Sequence, residues 1–434
     1  MPPANGASQP RLLVLATAHS YRLEAFQSAA DRLGVAVVRG LDAPPAHVSA
    51  GDGILRLDFR DPARSLRQVR AYARRHTLQA VIPADDSAVV LAAQIGAALG
   101  LRHNSPLAAE AARDKGRMRA LLAAAGVRVP WFKLFPASGP VEAAAAQVLY
   151  PCVLKPTCLS ASQGVIRANN PAEFLAAFGR IRGLLASLGA DEILVEGYIP
   201  GREFALEGVL RAGQLKVLAL FDKPDPLEGP YFEETIYVTP SRETVATQTA
   251  IAGCVAEAAK ALGLSEGAVH GEVRLNAAGP WLIEVAGRSI GGLCGQTLRF
   301  AQPADVTLEE IILRQALGLD IDGLDRERQA GGVMMLPIPA AGTLLGWDGL
   351  EAAQAVLGIE SVQITARVNY PLRPLPEGDS YLGFIFARAA TPAHVEAALR
   401  AASQALQFKI EPSLTMTVAC QPASIIVCRP AQPE

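Results

Sequence analysis

The chain has 434 residues, more than one ordinary core holds, and its length allows two or three domains. Half of the residues are apolar and 19% are charged, with a formal net charge of −2 and no basic block, which excludes a nucleic-acid binder built on a phosphate-tracking stripe. The six cysteines, at 152, 158, 254, 294, 420 and 428, show neither CxxC nor zinc-finger spacing and fit small thiols in a reducing compartment. The first nine residues are polar, without a basic stretch leading into an apolar one, and no stretch approaches the length of a membrane span, so a soluble cytoplasmic protein is expected.

Residues 11–16 read as a buried strand, 21–33 as an amphipathic helix ending at Gly34, and 35–38 as a second strand. Residues 80–83 form another strand, followed by Asp85 and Asp86 and an alanine-rich helix to Gly100. This alternation predicts a parallel sheet with helices on both faces from residue 10 to about 105. No GxGxxG follows the first strand, and the two aspartates read equally well as helix caps. Residues 113–127 look like one helix carrying Asp114-Lys115, broken by Pro130. A strand at 152–156 then feeds a loop of small residues, 157–164, before a second strand at 165–166. Such a loop, with Ser160, Ser162 and Gly164 beside Lys155, lets backbone N–H groups approach phosphate oxygens, although turn geometry alone also favours Ser and Gly. Residues 192–208 read as strand, connector, strand, with Glu196 and Glu203 across the connector; a salt-bridged surface hairpin is the plainer reading of that segment.

The most telling segment is 268–288, two alternating strands split by Ala277-Ala278-Gly279-Pro280. A register centred on residue 278 sets Glu272 opposite Glu284 and keeps His270, Arg274, Ala286 and Arg288 on their face. Like charges directly opposite destabilise a sheet, so the pair is either balanced by Arg274 and Arg288 or is a site for a hard cation, Mg²⁺ above all.

In this order the pieces resemble the ATP-grasp superfamily over nearly the whole chain. The matching motifs are Asp114-Lys115, Val153-Leu154-Lys155-Pro156, Val195-Glu196 with Glu203 seven later, and Glu272 with Glu284-x-x-x-Arg288. The run 223–234 and the sequence Glu284-Val-Ala-Gly-Arg288 are similar to the carboxylate–amine ligases that make dipeptides, the L-amino-acid ligases. Where the superfamily has Glu-x-Asn-x-Arg this chain has Ala286, which leaves the number of metal ions open. It also lacks the Gln-Val-Glu-His continuation of a biotin carboxylase, having Ser289-Ile-Gly-Gly instead, and a biotin-accepting Met-Lys-Met.

The resemblance implies an α/β ATP-grasp fold: a leading Rossmann-like parallel-sheet domain (1–107), an ATP-grasp domain (108–328) with a mobile lid at about 130–202, and an α+β, biotin-carboxylase-like C-terminal domain (329–434). It implies ATP and Mg²⁺ as cofactors, with Mn²⁺ a possible substitute. Lys115, Lys155 and the 157–164 loop would take the phosphates, the backbone from Gly197 to Ile199 the adenine with Glu196 nearby, Glu203 the ribose, and Glu272 and Glu284 the metal. Arg288 would stabilise charge on an acyl phosphate and a tetrahedral intermediate. His270, Gly291, Gly292, Tyr231 and Glu233 would face the substrates, with core packing and a Pro/Gly-rich loop as the bland alternatives. The expected reaction joins an amino acid or other carboxylate to an amine, forming ADP. Small-molecule substrates and a homodimer are expected, with no nucleic-acid or membrane partner. A carboxylase or purine-type ligase on the same scaffold, and a non-catalytic ATP-binding protein, stand as alternatives.

Overall fold

The computed structural model describes residues 9–412 apart from 19, 44–52 and 302–304; Cys420 and Cys428 lie outside the described residues. The leading unit runs β1 (Arg11–Thr17), α1 (Leu23–Leu33), β2 (Ala36–Asp42), β3 (Ile54–Leu57), α2 (Pro62–Ala73), β4 (Ala80–Pro83) and α3 (Val89–Leu99). Its sheet is parallel in the order β3-β2-β1-β4. Leu12 to Ala16 of the central β1 are buried without alternation, as a strand covered by helices on both faces requires. The helix expected to end at Gly34 does so: that glycine closes α1 at φ +66°.

Two helices follow, α4 (Pro106–Arg113) and α5 (Lys115–Ala124), where the sequence predicts a single helix over 113–127. Asp114 makes the break. It adopts an extended conformation and its side chain accepts from the Arg117 amide at 2.7 Å, capping α5. Arg113 thus ends one helix and Lys115 starts the next.

The segment expected to act as the lid comprises β5 (Phe132–Pro136), α6 (Val141–Ala145), β6 (Cys152–Pro156), β7 (Ile166–Ala168), α7 (Pro171–Ala186) and β8 (Glu192–Gly197), its sheet ordered β5-β8-β6-β7. Its own core gathers Phe174, Phe178, Ile181 and Leu185 of α7 against Leu154, Ile193 and Val195 of the sheet.

The main sheet starts with β9 (Arg202–Arg211), β10 (Gln214–Lys223) and β11 (Ile236–Thr239); after α8 (Val245–Leu262) come β12 (Gly267–Asn276) and β13 (Gly279–Ala286). Beyond the short pair β14 (Arg299–Phe300) and β15 (Val306–Thr307) lies α9 (Leu308–Ala316). The last third holds β16 (Ala330–Leu336), β17 (Gly342–Asp348), α10 (Leu350–Gln354), β18 (Ile359–Ile364), β19 (Pro371–Leu372), β20 (Gly383–Ala389), α11 (Pro392–Ala405) and β21 (Gln407–Pro412). The sheet order is β13-β12-β9-β10-β11-β16-β20-β18, so the strands of the last third continue the sheet with no break at residue 328.

The register of the β12–β13 hairpin departs from the expected one near the turn and agrees with it further out. Asn276 pairs with Gly279, so the turn is Ala277-Ala278 alone, and Arg274 pairs with Trp281. Continued unbroken, that register would set Glu272 opposite Ile283. A bulge between Glu272 and Val273 shifts the partner strand by one residue and brings Glu272 opposite Glu284.

Candidate active site

Glu203, Ala205 and Glu207 of β9 point to one face, as do His270, Glu272 and Arg274 of β12, because the side-chain period of a strand is two. The antiparallel register pairs Arg274 with Glu203, Glu272 with Ala205 and His270 with Glu207. On the other side of β9, Lys223 pairs with Glu203. The result is a row of opposite charges across three strands, floored by the small Ala205. Arg274 Nε donates to Glu203 Oε2 and Lys223 Nζ to Glu203 Oε1, both at 2.8 Å. Lys223 also reaches Glu234 at 2.8 Å and Glu272 at 3.0 Å, and one oxygen from each of Glu203, Glu234 and Glu272 lies within 4.8 Å of the others.

This face forms the floor of a cavity of about 300 Å³. Lys115, Lys155, Glu272, Glu284, Arg288 and His270 all line it, together with Ser160 and Ser162 of the 157–164 loop, Glu196, Gly197, Ile199 and Glu203 of the connector region, and Gly291 and Gly292. Three predicted site residues do not. Gly164 is turned away, its amide donating to the Pro376 carbonyl at 2.8 Å while its α-carbon packs on Pro156. Tyr231 instead bonds Arg180 of the lid and bridges to Ile166, and Glu233 is likewise outside the lining; their neighbours Phe232 and Glu234 line the cavity in their place. The segment before β11 has no regular period from which to choose between alternate side chains.

The charges are partnered differently from the sequence expectation. Arg274 serves Glu203 and Arg288 serves Asp86, while the opposed carboxylates are matched by lysines: Glu272 by Lys223 at 3.0 Å and Glu284 by Lys115 at 3.0 Å. Burial raises the pKa of Glu284, but Lys115 together with Arg288 holds the group below the usual carboxylate range; Lys223 and His270, with a hydrogen bond from Glu234, do the same for Glu272 against its own burial. Both carboxylates are therefore ionised and offer hard oxygen donors to the cavity, a donor set that suits Mg²⁺. Glu234 is different. Burial, with Glu272 close by, pushes it up to about 7 in spite of Lys223. His270 lies between Glu207, 3.2 Å from Nδ1, and Glu272, 3.7 Å from Nε2; burial works against its charged form, yet these two carboxylates raise it to about 9.

Glu196, expected near the adenine, is 3% exposed and is held by two cations. Arg119 of α5 donates to it through Nε at 2.7 Å and through Nη2 at 3.3 Å, and Lys155 Nζ donates to its Oε1. Burial alone would raise Glu196, but the two cations bring it down to about 2. The connector backbone is partly committed: the Gly197 amide donates to the Trp131 carbonyl at 2.9 Å and the Ile199 carbonyl accepts from Arg274 at 2.8 Å. Close by, Tyr198 and Phe232 stack with centroids 6.5 Å apart, and the Arg167 guanidinium lies 4.0 Å over the Tyr198 ring, forming an aromatic and cationic wall.

The loop after β6 is tied at both ends. Lys115 receives it, the Lys115 amide donating to the Thr157 carbonyl at 3.0 Å and Nζ to the Leu159 carbonyl at 2.8 Å. On its far side Gln163 donates to the Glu377 carbonyl at 2.8 Å, and Arg180 of α7 grips the Glu377 carboxylate through Nε and Nη2, both at 2.8 Å. The turn at 374–378 therefore fastens the lid to the last third of the chain, which also contributes Met335 and Tyr381 to the cavity lining. The two aspartates read as possible caps are not caps: the Asp85 carboxylate accepts from the Thr17 amide, the Thr17 hydroxyl and the Ser20 hydroxyl, and Asp86 binds Arg288 and Arg113. No helix among the described residues is long and apolar enough to cross a membrane.

Comparison with known proteins gives this architecture its context. Residues 148–297 match the ATP-grasp domain and residues 334–411 match the L-amino acid ligase C-terminal domain 2. The chain is 26% identical over 308 residues to the uncharacterized protein y4rH of Sinorhizobium fredii, covering 71% of this chain and 63% of that protein. It is 32% identical over 215 residues to the alanine–anticapsin ligase of Bacillus subtilis, covering 44% of each. These alignments span less than two thirds of the relatives' own lengths. The crystal structure of an L-amino acid ligase from Bacillus licheniformis superposes with a TM-score of 0.77 at 25% identity, covering 94% of this chain and all of that one. The cavity is thus framed by residues of both matched regions, and the chain carries an ATP-grasp domain and an L-amino acid ligase C-terminal domain, with the fold of the L-amino acid ligase structure.

Proposed function

We propose that the protein is an ATP- and Mg²⁺-dependent carboxylate–amine ligase. It activates an amino acid or another carboxylate as an acyl phosphate and passes the acyl group to an amine, giving a dipeptide when both substrates are amino acids. The observation that carries the reading is the convergence of Lys115, Lys155, the Glu272–Glu284 pair and Arg288 on one cavity, although they come from α5, β6, the β12–β13 hairpin and the segment beyond it.

Lys115 and Lys155 hold the phosphates, the second kept in place by Glu196, and the loop at 160–163 closes over them to exclude water. Glu272 and Glu284 hold the Mg²⁺ ion, with Mn²⁺ a possible substitute; when bound it offsets phosphate charge. A substrate carboxylate oxygen attacks the γ-phosphorus and ADP leaves. The amine nitrogen then attacks the acyl carbon and inorganic phosphate leaves. Arg288 stabilises the oxyanion of that second step with the edge of its guanidinium that faces the cavity. No protein nucleophile is required, because positioning and electrostatics supply the catalysis. Tyr198 and Phe232 offer the adenine an aromatic wall.

A screen of paired amino acids tests the reading, with phosphate release followed by a coupled assay and products by mass spectrometry. Amide formation that depends on ATP and Mg²⁺ is expected. Turnover that requires bicarbonate and ignores amines would replace the ligase by a carboxylase on the same fold.

A further inference from the structure

We propose that Asp86, from the leading α/β unit, is the positioning residue for Arg288; its consequence for catalysis rests on the ligase reading above. Asp86 begins the short turn between β4 and α3, which lines the cavity and is anchored to the leading sheet. The neighbouring Asp85 carboxylate takes the Thr17 amide at 2.7 Å, the Thr17 hydroxyl at 3.0 Å and the Ser20 hydroxyl at 2.8 Å, pinning the turn to the end of β1. From this fixed point Asp86 reaches across the domain boundary. Its Oδ1 accepts from Arg288 Nε at 2.9 Å and its Oδ2 pairs with Arg113 Nη1, while Arg288 Nη1 donates to the Ser289 carbonyl at 2.9 Å. Ser289 is in turn held by Arg22 Nη2 at 2.6 Å.

This leaves one corner of the Arg288 fork uncommitted. Nε and Nη1 are bound, and Nη2 has no hydrogen-bond partner among the described residues, on a side chain that lines the cavity and is 12% exposed. A long, flexible side chain is thereby reduced to one rotamer with one free donor edge, which is the preorganisation that an oxyanion contact requires. The carboxylate also keeps two like charges together. Arg113 and Arg288 lie close enough for Arg288 to depress the Arg113 pKa in addition to the effect of burial. Without Asp86 they would repel. An alternative anion for Arg288 is Glu284, four residues earlier, which already feels its charge. Arg288 would lean toward that carboxylate, and its free donor edge would leave the oxyanion position.

The test is a double-mutant cycle of D86N and R288K, read as kcat and KM, with arginine side-chain NMR as a second readout. D86N should lower kcat on the order of 10²-fold, the scale of one lost oxyanion donor. KM for ATP should stay within about twofold, because Lys115 and Lys155 are untouched. In the R288K background the same substitution should cost far less, since a residue acting through Arg288 has nothing left to position. Hydrogen exchange at the Arg288 Nε–H, assigned by its loss in R288K, should be slow in the wild-type protein and fast in D86N. Equal losses in the two backgrounds, a wild-type kcat in D86N, or fast exchange at that proton in the wild-type protein would each overturn the proposal. The exchange measurement needs no turnover, so it decides the positioning role even if the wild-type protein forms no amide, a result that would sink the ligase reading alone.

Discussion

Lys115 Nζ lies 3.0 Å from Glu284 Oε2 and 2.8 Å from the Leu159 carbonyl, so one ammonium joins the proposed metal carboxylate to the proposed phosphate loop. Glu284→Gln removes the charge at this junction while keeping the shape. Turnover should fall by the equivalent of several kcal/mol, as loss of a preorganised charge does, with the thermal melt little changed. Initial rates over a Mg²⁺ titration check this, and near-normal rates would place the metal elsewhere.

The lid should gain protection when nucleotide binds, and its latch should set how fast nucleotide leaves. Arg180 and Glu377 are 44% and 43% exposed in their side chains, so their pairing contributes at most ~1 kcal/mol to stability. Arg180→Ala should therefore leave the fold intact. It should speed hydrogen exchange across residues 157–164 and accelerate release of a fluorescent ADP analogue several-fold. Wild-type exchange and release rates in the variant would show that the turn at 374–378 is only a packing contact.

The nucleotide product should be ADP with orthophosphate. Adenylation, which many carboxylate-activating enzymes use, attacks the α-phosphate and yields AMP with pyrophosphate. Chromatography after one turnover separates the two, and with ¹⁸O-labelled carboxylate the label should appear in phosphate. Stoichiometric AMP would overturn the acyl-phosphate route even if an amide formed.

Acid should weaken the protein through Glu196. A carboxylate held at about 2 in the folded chain, against about 4.3 when unfolded, stabilises the fold fully above that upper value and loses its contribution as the pH falls toward 2. Its share is on the order of 3 kcal/mol. Urea melts between pH 7 and pH 3 should steepen below about pH 4.3 for the wild-type protein. Glu196→Gln should be less stable at neutral pH, with Arg119 and Lys155 left uncompensated, and flatter in acid. Parallel pH profiles would assign acid sensitivity to other groups.

What was legible in the sequence was local periodicity, and what was not was pairing over distance. The alternation of residues 268–288 sets Glu272 opposite Glu284, but through two offsets that cancel: the turn is two residues tighter than the Gly/Pro signal implies, and a bulge at Glu272 restores the register. The partners of those carboxylates, Lys115 and Lys223, come from segments 49 or more positions away, and nothing in a local pattern announces them. The same holds for Glu203, caught between Lys223 and Arg274 once β9 takes its place between β10 and β12. Asp85 and Asp86 have the composition of caps, but the fold gives Asp85 the end of β1, at Thr17 and Ser20, and packing against residues 113 and 288 gives Asp86 its two arginines. Tyr231 and Glu233 were one residue out of step with the cavity because the segment before β11 follows no strand period.

The main sheet passes from β11 into β16 without interruption, which makes the last third of the chain a structural partner and not an attachment. A chain ending at residue 328 would leave β11 as a bare edge and uncover Ile236 and Val238, which pack in one cluster with Leu336 and Ile385. Such a truncation is expected to aggregate. Swapping residues 330–412 as a block between relatives, by contrast, would preserve the ladder while replacing Met335, Tyr381 and Glu377 together. That single exchange would change part of the cavity wall and the lid fastening at once, leaving the phosphate-binding lysines where they are.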